Sequence, residues 1–160
     1  PVAPLPMRSL PPVFSRLLPE PNHWRGTLPT GYGRAMPIHF TIDHAAKLVK
    51  ARAEGIVTLK DIEAFSDAVV AQDALTYRKL FDARDAAGTY GDDDVMVLAA
   101  RASAYAMLAK RGRLAVVPRR NAVPDLAQRY INLGKFDGNA QIFATPEEAL
   151  AWLESPDPET

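Results

Sequence analysis

Strand-like and helix-like patterns alternate along the second half of this chain, and that alternation restricts the folds it can adopt. Residues 77–82 and 114–117 are typical of strands, the second of them a continuous apolar run, and a helical repeat of apolar residues lies between them. A chain that alternates strands with helices forms parallel crossovers, and these are right-handed. The pattern therefore predicts an α/β fold in which helices pack against one small sheet.

The first predicted elements form a hairpin. Residues 38–42 and 48–53 each alternate apolar with polar side chains, which predicts two half-buried strands joined by a short turn, the second ending at Gly55. The elements predicted after the hairpin are a helix over 58–74, a strand over 77–82, a helix from Asp92 or Asp93 to Lys110, a strand over 114–117, a helix over 124–133, a strand over 141–144 and a final helix over 145–155. The order is ββαβαβαβα, with a single mixed, mostly parallel sheet.

Two helix starts carry capping signals. Thr58 is followed three residues later by Asp61, and Thr145 is followed by proline and then by Glu148. A threonine side chain at the N-cap accepts a hydrogen bond from a free backbone amide, and an acidic residue at the N3 position favours the same helix end. These signals predict helices that begin directly after Thr58 and Thr145.

Residues 1–35 differ in composition from residues 36–160. Nine of the fourteen prolines lie within the first 37 residues, and proline disrupts helix interiors and central strands. We expect a proline-rich tail that is disordered or loosely packed, followed by one domain over 36–160. Met36 is also a plausible natural start, in which case the tail is vector-derived or translated upstream sequence. The alternative is a tail that docks Phe14 and Trp24 on a partner.

Charge and composition exclude several function classes. The chain is neutral overall, but residues 1–35 carry a net charge of +3 and residues 36–160 carry −3. A mildly acidic domain lacks the basic surface that nucleic-acid binding requires. No apolar run is long enough for a membrane span. The sequence contains no cysteine, which excludes disulfides and thiolate metal sites and agrees with a cytoplasmic location.

The candidate site follows the central predicted strand. In open α/β folds, ligands bind at the loops that leave the carboxyl ends of strands. The loop predicted after residue 82 is rich in polar groups, and the next strand is followed by two arginines. The predicted ligand- or partner-binding residues are Asp82, Arg84, Asp85, Thr89, Tyr90, Asp92, Arg119 and Arg120.

Alternatives remain for each part of this site. Asp82, Arg84 and Asp85 form either an ion pair that stiffens the loop or a binding edge, and the three arginines either bind an anion or are exposed solubilising charge. The aspartates at 92–94 are a metal site, a phosphate mimic or simply solvated residues that favour a helix N-terminus, and we prefer the last interpretation. No catalytic residue, metal ligand set or cofactor motif is predicted.

The chain resembles the STAS domain, the fold of bacterial anti-sigma factor antagonists, and more closely the small bacterial proteins grouped as SpoIIAA-like or STAS/SEC14-like. The residues that carry the resemblance lie at 51–55 (Ala-Arg-Ala-Glu-Gly), 78–86 and 143–153. The antagonists carry a phosphorylatable serine at the start of the second helix. Residues 88–94 here read Gly-Thr-Tyr-Gly-Asp-Asp-Asp, so we expect no switch by serine phosphorylation, with Thr89 as the nearest hydroxyl.

Three functions follow from these observations. The first is a non-catalytic binding or regulatory module, whose partner is a protein, a small molecule or a second copy of the chain. The second, which only the resemblance implies, is a carrier of a small apolar or anionic ligand. The third is a small hydrolase or transferase that uses Asp82 or Asp85. The lack of a paired base and nucleophile favours a function without catalysis.

Overall fold

The computed structural model describes residues 37–88, 90–120 and 125–157 of the chain. Within these residues, five strands and four helices follow in the order ββαβαβαβα. Their bounds are β1 Ile38–Asp43, β2 Leu48–Ile56, α1 Leu59–Ala71, β3 Arg78–Ala87, α2 Asp92–Leu108, β4 Leu114–Val117, α3 Asp125–Leu133, β5 Ala140–Ile142 and α4 Pro146–Glu154. The predicted tail over 1–35 and Thr89 lie outside the described residues.

The sheet is mixed and mostly parallel, as predicted. Its strand order within the described residues is β1-β2-β3-β4-β5. β1 pairs with β2 in antiparallel fashion because a short turn joins them, whereas β2, β3, β4 and β5 are parallel because helices form the connections between them. Each parallel strand therefore lies beside its predecessor, and the carboxyl ends of β2 to β5 lie along one edge.

The central strand is longer than the sequence pattern predicts. β3 continues to Ala87, so Arg84 and Asp85 belong to a strand and the prediction that they lie in a loop is wrong. β2 is also longer, and it passes Gly55, which has a φ of 71°. The extra residues pair with each other up to Ile56 and Ala87, and this pairing supplies hydrogen-bond partners that a sequence window does not show.

A β-bulge interrupts this pairing. The register joins Arg52 to Asp82 and then Glu54 to Asp85, so β3 holds one residue more than β2 between the two pairs. An extra residue shifts the alternation of side chains between the two faces of a sheet. The bulge therefore changes which face the side chains after Asp82 occupy, beside the predicted site.

Other element ends differ from the predictions by a few residues. α1 ends at Ala71 instead of residue 74, α2 ends at Leu108 instead of Lys110, and β5 covers Ala140–Ile142 instead of 141–144. After α1, Asp73 adopts a φ of 58°, a left-handed conformation that a helix does not contain. Element ends depend on such local turns, which apolar periodicity does not report.

The helices lie on both faces of the sheet. α4 packs on β3 and β4. Its buried cluster consists of Leu48, Leu80, Ala115, Val117, Ala149 and Leu153. On the other face, Phe65 and Val69 of α1 pack against β1 and β2 in a second cluster. Leu80 and Lys79 consequently face opposite sides of the sheet, since successive side chains of a strand alternate.

Both predicted helix caps are present. The Thr58 side chain accepts a hydrogen bond from the Asp61 amide at 3.3 Å, and the Asp61 carboxylate accepts one from the Thr58 amide at 2.7 Å. Thr145 Oγ1 accepts a hydrogen bond from the Glu148 amide at 3.3 Å. Both helices thus start where their capping residues predict.

Replacing Thr145 with alanine is expected to lower the free energy of unfolding by about 0.5–2 kcal/mol, because the Glu148 amide loses its acceptor. Urea denaturation measures the effect. Thr76→Ala is the matched control, since Thr76 is exposed in a turn. Equal midpoints for the two variants would show that the cap does not stabilise α4.

No helix in the described ranges is long and apolar enough to cross a membrane.

Candidate functional site

The carboxyl ends of β3 and β4 lie side by side, as the site prediction requires. Asp82 of β3 pairs in register with Val117 of β4. Arg84 and Arg119 each follow two residues later, so both arginines lie at this edge of the sheet. All three arginines of the prediction, with Arg120 as the third, are exposed. Arg119 and Arg120 form no ion pair with any residue that the structure describes.

Asp82 and Arg84 form a bidentate ion pair. Arg84 Nε donates to Asp82 Oδ1 at 3.0 Å, and its terminal nitrogen donates to Oδ2 at 2.9 Å. The Arg84 amide also donates to Asp82 Oδ1 at 3.2 Å. Burial of Asp82 opposes its ionisation, but the hydrogen bonds from Arg84 outweigh it and hold the pKa of Asp82 below its ordinary value. Asp82 is therefore an ionised carboxylate whose two oxygens already accept hydrogen bonds, and the ion-pair alternative describes this part of the site.

Asp85 takes part in a separate pair. Arg52 of β2 donates to Asp85 Oδ2 at 2.8 Å and contacts Glu54 at 2.8 Å. These side chains are about half exposed, so water and salt weaken the interaction. The pair holds the carboxyl ends of β2 and β3 together.

Tyr90 connects two loops. Its hydroxyl donates to the Val57 carbonyl oxygen at 2.6 Å. Its ring lies so close to Gly88 that a Cβ there would approach the ring to 2.9 Å and Val57 O to 2.7 Å. Burial, with the nearby charges of Asp61 and Asp94, raises the pKa of Tyr90 to about 12. The residue fastens the β3–α2 connection to the start of α1, and Thr89 beside it lies outside the described residues.

The three aspartates at the start of α2 do not converge. Asp94 Oδ2 accepts a hydrogen bond from the Gly91 amide at 2.9 Å, so Asp94 caps its own helix. Asp92 Oδ1 accepts one from Arg129 of α3 at 2.6 Å. Across residues 37–88, 90–120 and 125–157, no group of three or more histidine or acidic side chains is placed to hold a metal ion.

A large cavity lies between the sheet and helices α1, α2 and α3. Its volume is about 1430 Å³, above the range of roughly 300–1,000 Å³ that is usual for small-molecule sites. Most of its lining is apolar and includes Phe65, Phe81, Val95, Leu98, Leu114, Val116 and Ile142. The exposed residues Arg84, Asp85, Arg119 and Arg120 also line the cavity, so these four residues of the predicted site form a solvent-exposed rim, whereas Asp82 and Asp92 are not part of the lining.

The part of the cavity near the amino ends of β3 and β4, away from Arg84 and Arg119 and called the inner end below, contains residues that the sequence analysis missed. Lys79, Arg111 and Tyr130 line it and are partly buried. One signal in the sequence points to the lysine: Lys79 shares its strand face with Phe81, so a charged residue occupies an inward position of β3. Arg111 and Tyr130 belong to other segments, and their proximity to Lys79 depends on the tertiary structure.

The environment of Lys79 is unusual for a lysine. Its ammonium donates to Leu75 O at 2.7 Å and to Tyr77 O at 2.6 Å. Burial, and secondarily the positive charge of Arg111, lowers the pKa of Lys79 to about 8. It forms no ion pair with a carboxylate among the described residues. A cation without a buried counter-charge is therefore present at the cavity wall.

Comparisons with known proteins agree with the observed architecture. No protein-family model and no curated protein matches this sequence. Solved structures similar to it include the following two. An uncharacterized protein of the DUF3478 family with a SpoIIAA-like fold, from Shewanella loihica, is 17% identical with a TM-score of 0.51, over 72% of this chain and 93% of that chain.

The second is an anti-sigma factor antagonist from Mycobacterium paratuberculosis, which is 20% identical with a TM-score of 0.47, over 76% of this chain and 98% of that chain. The order of elements, the mixed sheet and the first of these likenesses lead to one conclusion, which agrees with the resemblance seen in the sequence. The chain has the SpoIIAA-like fold.

Proposed function

We propose that this domain is a non-catalytic binding module, and that its ligand occupies the cavity between the sheet and α1–α3. The observation that carries the proposal is the cavity itself, which is large, mostly apolar and bordered by cationic side chains at both ends. An elongated apolar molecule with an anionic group matches this lining, because apolar surface gains free energy on burial and a guanidinium or ammonium pairs with an anion. Arg84, Arg119 and Arg120 would border its entrance.

The geometry disfavours the hydrolase or transferase alternative. A general base must accept a proton, yet hydrogen bonds from Arg84 engage both oxygens of Asp82 and lower its pKa. Asp85 is engaged by Arg52. Neither carboxylate has a serine, histidine or lysine partner among the described contacts, so no activated nucleophile accompanies them.

A cavity-filling substitution tests the proposal. Ala102 is buried and lines the cavity, so Ala102→Phe is expected to reduce the binding of a neutral apolar dye such as Nile red by roughly tenfold or more, because the larger ring takes the ligand's volume. Fluorescence titration measures the change. Ala100→Phe is the matched control, because Ala100 is exposed on the same helix.

Equal dye affinity for Ala102→Phe, Ala100→Phe and the unchanged protein would contradict a ligand in this cavity. Native mass spectrometry of the freshly purified protein adds a separate readout, since a co-purified ligand would appear as extra mass and would disappear in Ala102→Phe.

A regulatory protein partner, or a second copy of the chain, is the second candidate. One observation favours it: the outer face of α2 exposes Met96, Val97, Met107 and Leu108, and Met107 is 89% exposed. Such an apolar surface beside the β3–α2 connection suits a docking partner. On this proposal, regulation does not use serine phosphorylation, because the turn before α2 contains no serine. The proposed setting is the cytoplasm, in line with the absence of cysteine from the sequence.

A further inference from the structure

Three hydrogen-bond donors line the inner end of the cavity, and none of them is bonded to a carboxylate among the described residues. Lys79 comes from β3, Arg111 from the segment between α2 and β4, and Tyr130 from α3. Lys79 and Arg111 are close enough for their charges to interact, as are Arg111 and Tyr130. None of the three forms an ion pair with an acidic residue in the part of the chain that the structure describes.

Backbone carbonyls hold both cations in place. The Lys79 ammonium uses two of its three N–H groups on Leu75 O and Tyr77 O, which leaves one donor. Arg111 donates to the carbonyl oxygens of Ala102 at 2.8 Å, Gly134 at 3.0 Å and Lys135 at 2.5 Å. Its guanidinium also lies 4.1 Å above the Phe136 ring. The cations are therefore anchored, and each keeps donor capacity for a further acceptor.

Tyr130 adds a third donor to this group. Its hydroxyl makes no hydrogen bond to any described residue, although its backbone carbonyl accepts one from Gly134. Burial raises the pKa of Tyr130 to about 12, an effect that Arg111 partly offsets. Its hydroxyl consequently stays protonated and can donate. Tyr105, which also lines the cavity, is already bonded to Arg101 and Asp67.

We propose that Lys79, Arg111 and Tyr130 bind the carboxylate of a linear apolar acid that enters the cavity head first; this assignment rests on the proposed ligand-binding function. The donors available match a carboxylate, which accepts hydrogen bonds on two oxygens and carries one negative charge. Lys79 and Arg111 repel each other in the empty protein, where Asp137 offsets part of the charge of Arg111, and an anion between the two cations counters that repulsion.

The rim arginines are weaker candidates for the head group. Arg84 is already paired with Asp82, and Arg119 and Arg120 are exposed, so water and salt screen any charge that they bind. The inner donors are partly buried, where the same attraction is stronger. The apolar lining between the two ends, from Phe81 and Leu114 to Val95, then contacts the hydrocarbon chain.

A displacement titration tests the assignment. Nile red is bound first, and dodecanoic acid or dodecanol is added. The acid is expected to bind roughly tenfold or more tightly than the alcohol, because only the acid forms charge-assisted hydrogen bonds. In Lys79→Met this preference is expected to collapse while the alcohol still binds. Lys79→Arg is the conservative variant and is expected to retain the preference, since it retains the charge.

The pH profile gives a second readout that a structural role of Lys79 would not produce. The carboxylate is ionised throughout, so the titrating group is the Lys79 ammonium, whose pKa of about 8 in the empty protein means that its charge is lost as the pH rises. Binding of the acid is expected to weaken as the pH rises above about 8, where the empty protein loses the Lys79 charge. The bound anion stabilises the ammonium and raises its pKa, so the affinity continues to fall until the pH exceeds this higher value. Arg111 and Tyr130 keep their charge states over this range, so Lys79→Arg is expected to show no loss.

The outcomes separate this inference from the proposed function. Equal affinity for acid and alcohol in the unchanged protein, or an acid preference that survives in Lys79→Met, would overturn the head-group site and leave the apolar cavity standing. If Nile red does not bind, or if neither dodecanoic acid nor dodecanol displaces the bound dye, the proposed function itself would be overturned. Dodecyl phosphate binding more tightly than dodecanoic acid would also overturn the carboxylate assignment. Thermal melts of each variant show that it is folded.

Discussion

Replacing Arg113 with alanine is expected to lower the free energy of unfolding by about 3 kcal/mol, since buried hydrogen bonds from a charged group each contribute about 1.5–3 kcal/mol. Arg113 is only 7% exposed and, from the position directly before β4, donates to the end of α4. Its acceptors are Trp152 O at 2.8 Å, Leu153 O at 3.0 Å, Ser155 Oγ at 3.1 Å and the Ser155 carbonyl oxygen. Its guanidinium also lies 4.9 Å from the Trp152 ring.

The physical reason is the position of these acceptors. The last carbonyls of a helix lack partners within the helix and form its negative end, so a cation there satisfies both their hydrogen bonding and their charge. Alanine would leave the buried Leu153 carbonyl with Arg78 as its remaining side-chain donor, at 2.9 Å. Urea denaturation measures the loss. Arg52→Ala is the control, because Arg52 is an exposed arginine with ion-pair partners of its own, and its midpoint is expected to change little. Equal midpoints would contradict this role of Arg113.

Replacing Gly112 with alanine is expected to destabilise the fold by about 3 kcal/mol, the upper part of the usual range for overpacking. A Cβ at this position would lie 2.2 Å from Tyr77 O and 2.5 Å from Thr76 O. Both atoms belong to backbone, which cannot rotate away as a long side chain can. The two segments must therefore separate to accept even a methyl group.

The same substitution is expected to weaken acid binding, because Tyr77 O is an acceptor of the Lys79 ammonium. Thermal melting and the dye titration measure the two effects on one sample. Gly91→Ala is the matched control: its Cβ would meet only Asp94 Oδ2, at 3.9 Å, so a small effect is expected. A melting temperature for Gly112→Ala equal to that of Gly91→Ala would show that the close approach of the two segments is not a constraint.

The predictable part of the fold came from local patterns. The alternation of strands and helices, the opening hairpin and the capping threonines Thr58 and Thr145 are all visible within short windows. The extent of β3 was not predictable in this way. Residues 83–87 are strand because β2 offers them hydrogen bonds, and the bulge near Asp82 arises from the pairing of the two strands.

The candidate site was also predictable only in part. The sequence indicated the edge where β3 and β4 end, and the structure places Arg84 and Arg119 there, at the rim of the cavity. The sequence did not indicate that both carboxylate oxygens of Asp82 would accept hydrogen bonds from Arg84. Nor did it indicate that the Tyr90 hydroxyl would donate to the Val57 carbonyl oxygen. Those partners depend on the bulge and on the approach of α1 to the β3–α2 connection.

What the sequence determined by itself is the order and type of the elements, because apolar period, capping and turn residues act over a few neighbours. What only the tertiary structure decided is the meeting of Lys79, Arg111 and Tyr130 at the inner end of the cavity. These residues belong to three segments that become neighbours when the crossovers place α2 and α3 over the face of β3 that holds Lys79. That none of the three is bonded to a carboxylate among the described residues is a property of that packing, since each residue alone is an ordinary feature of its own segment.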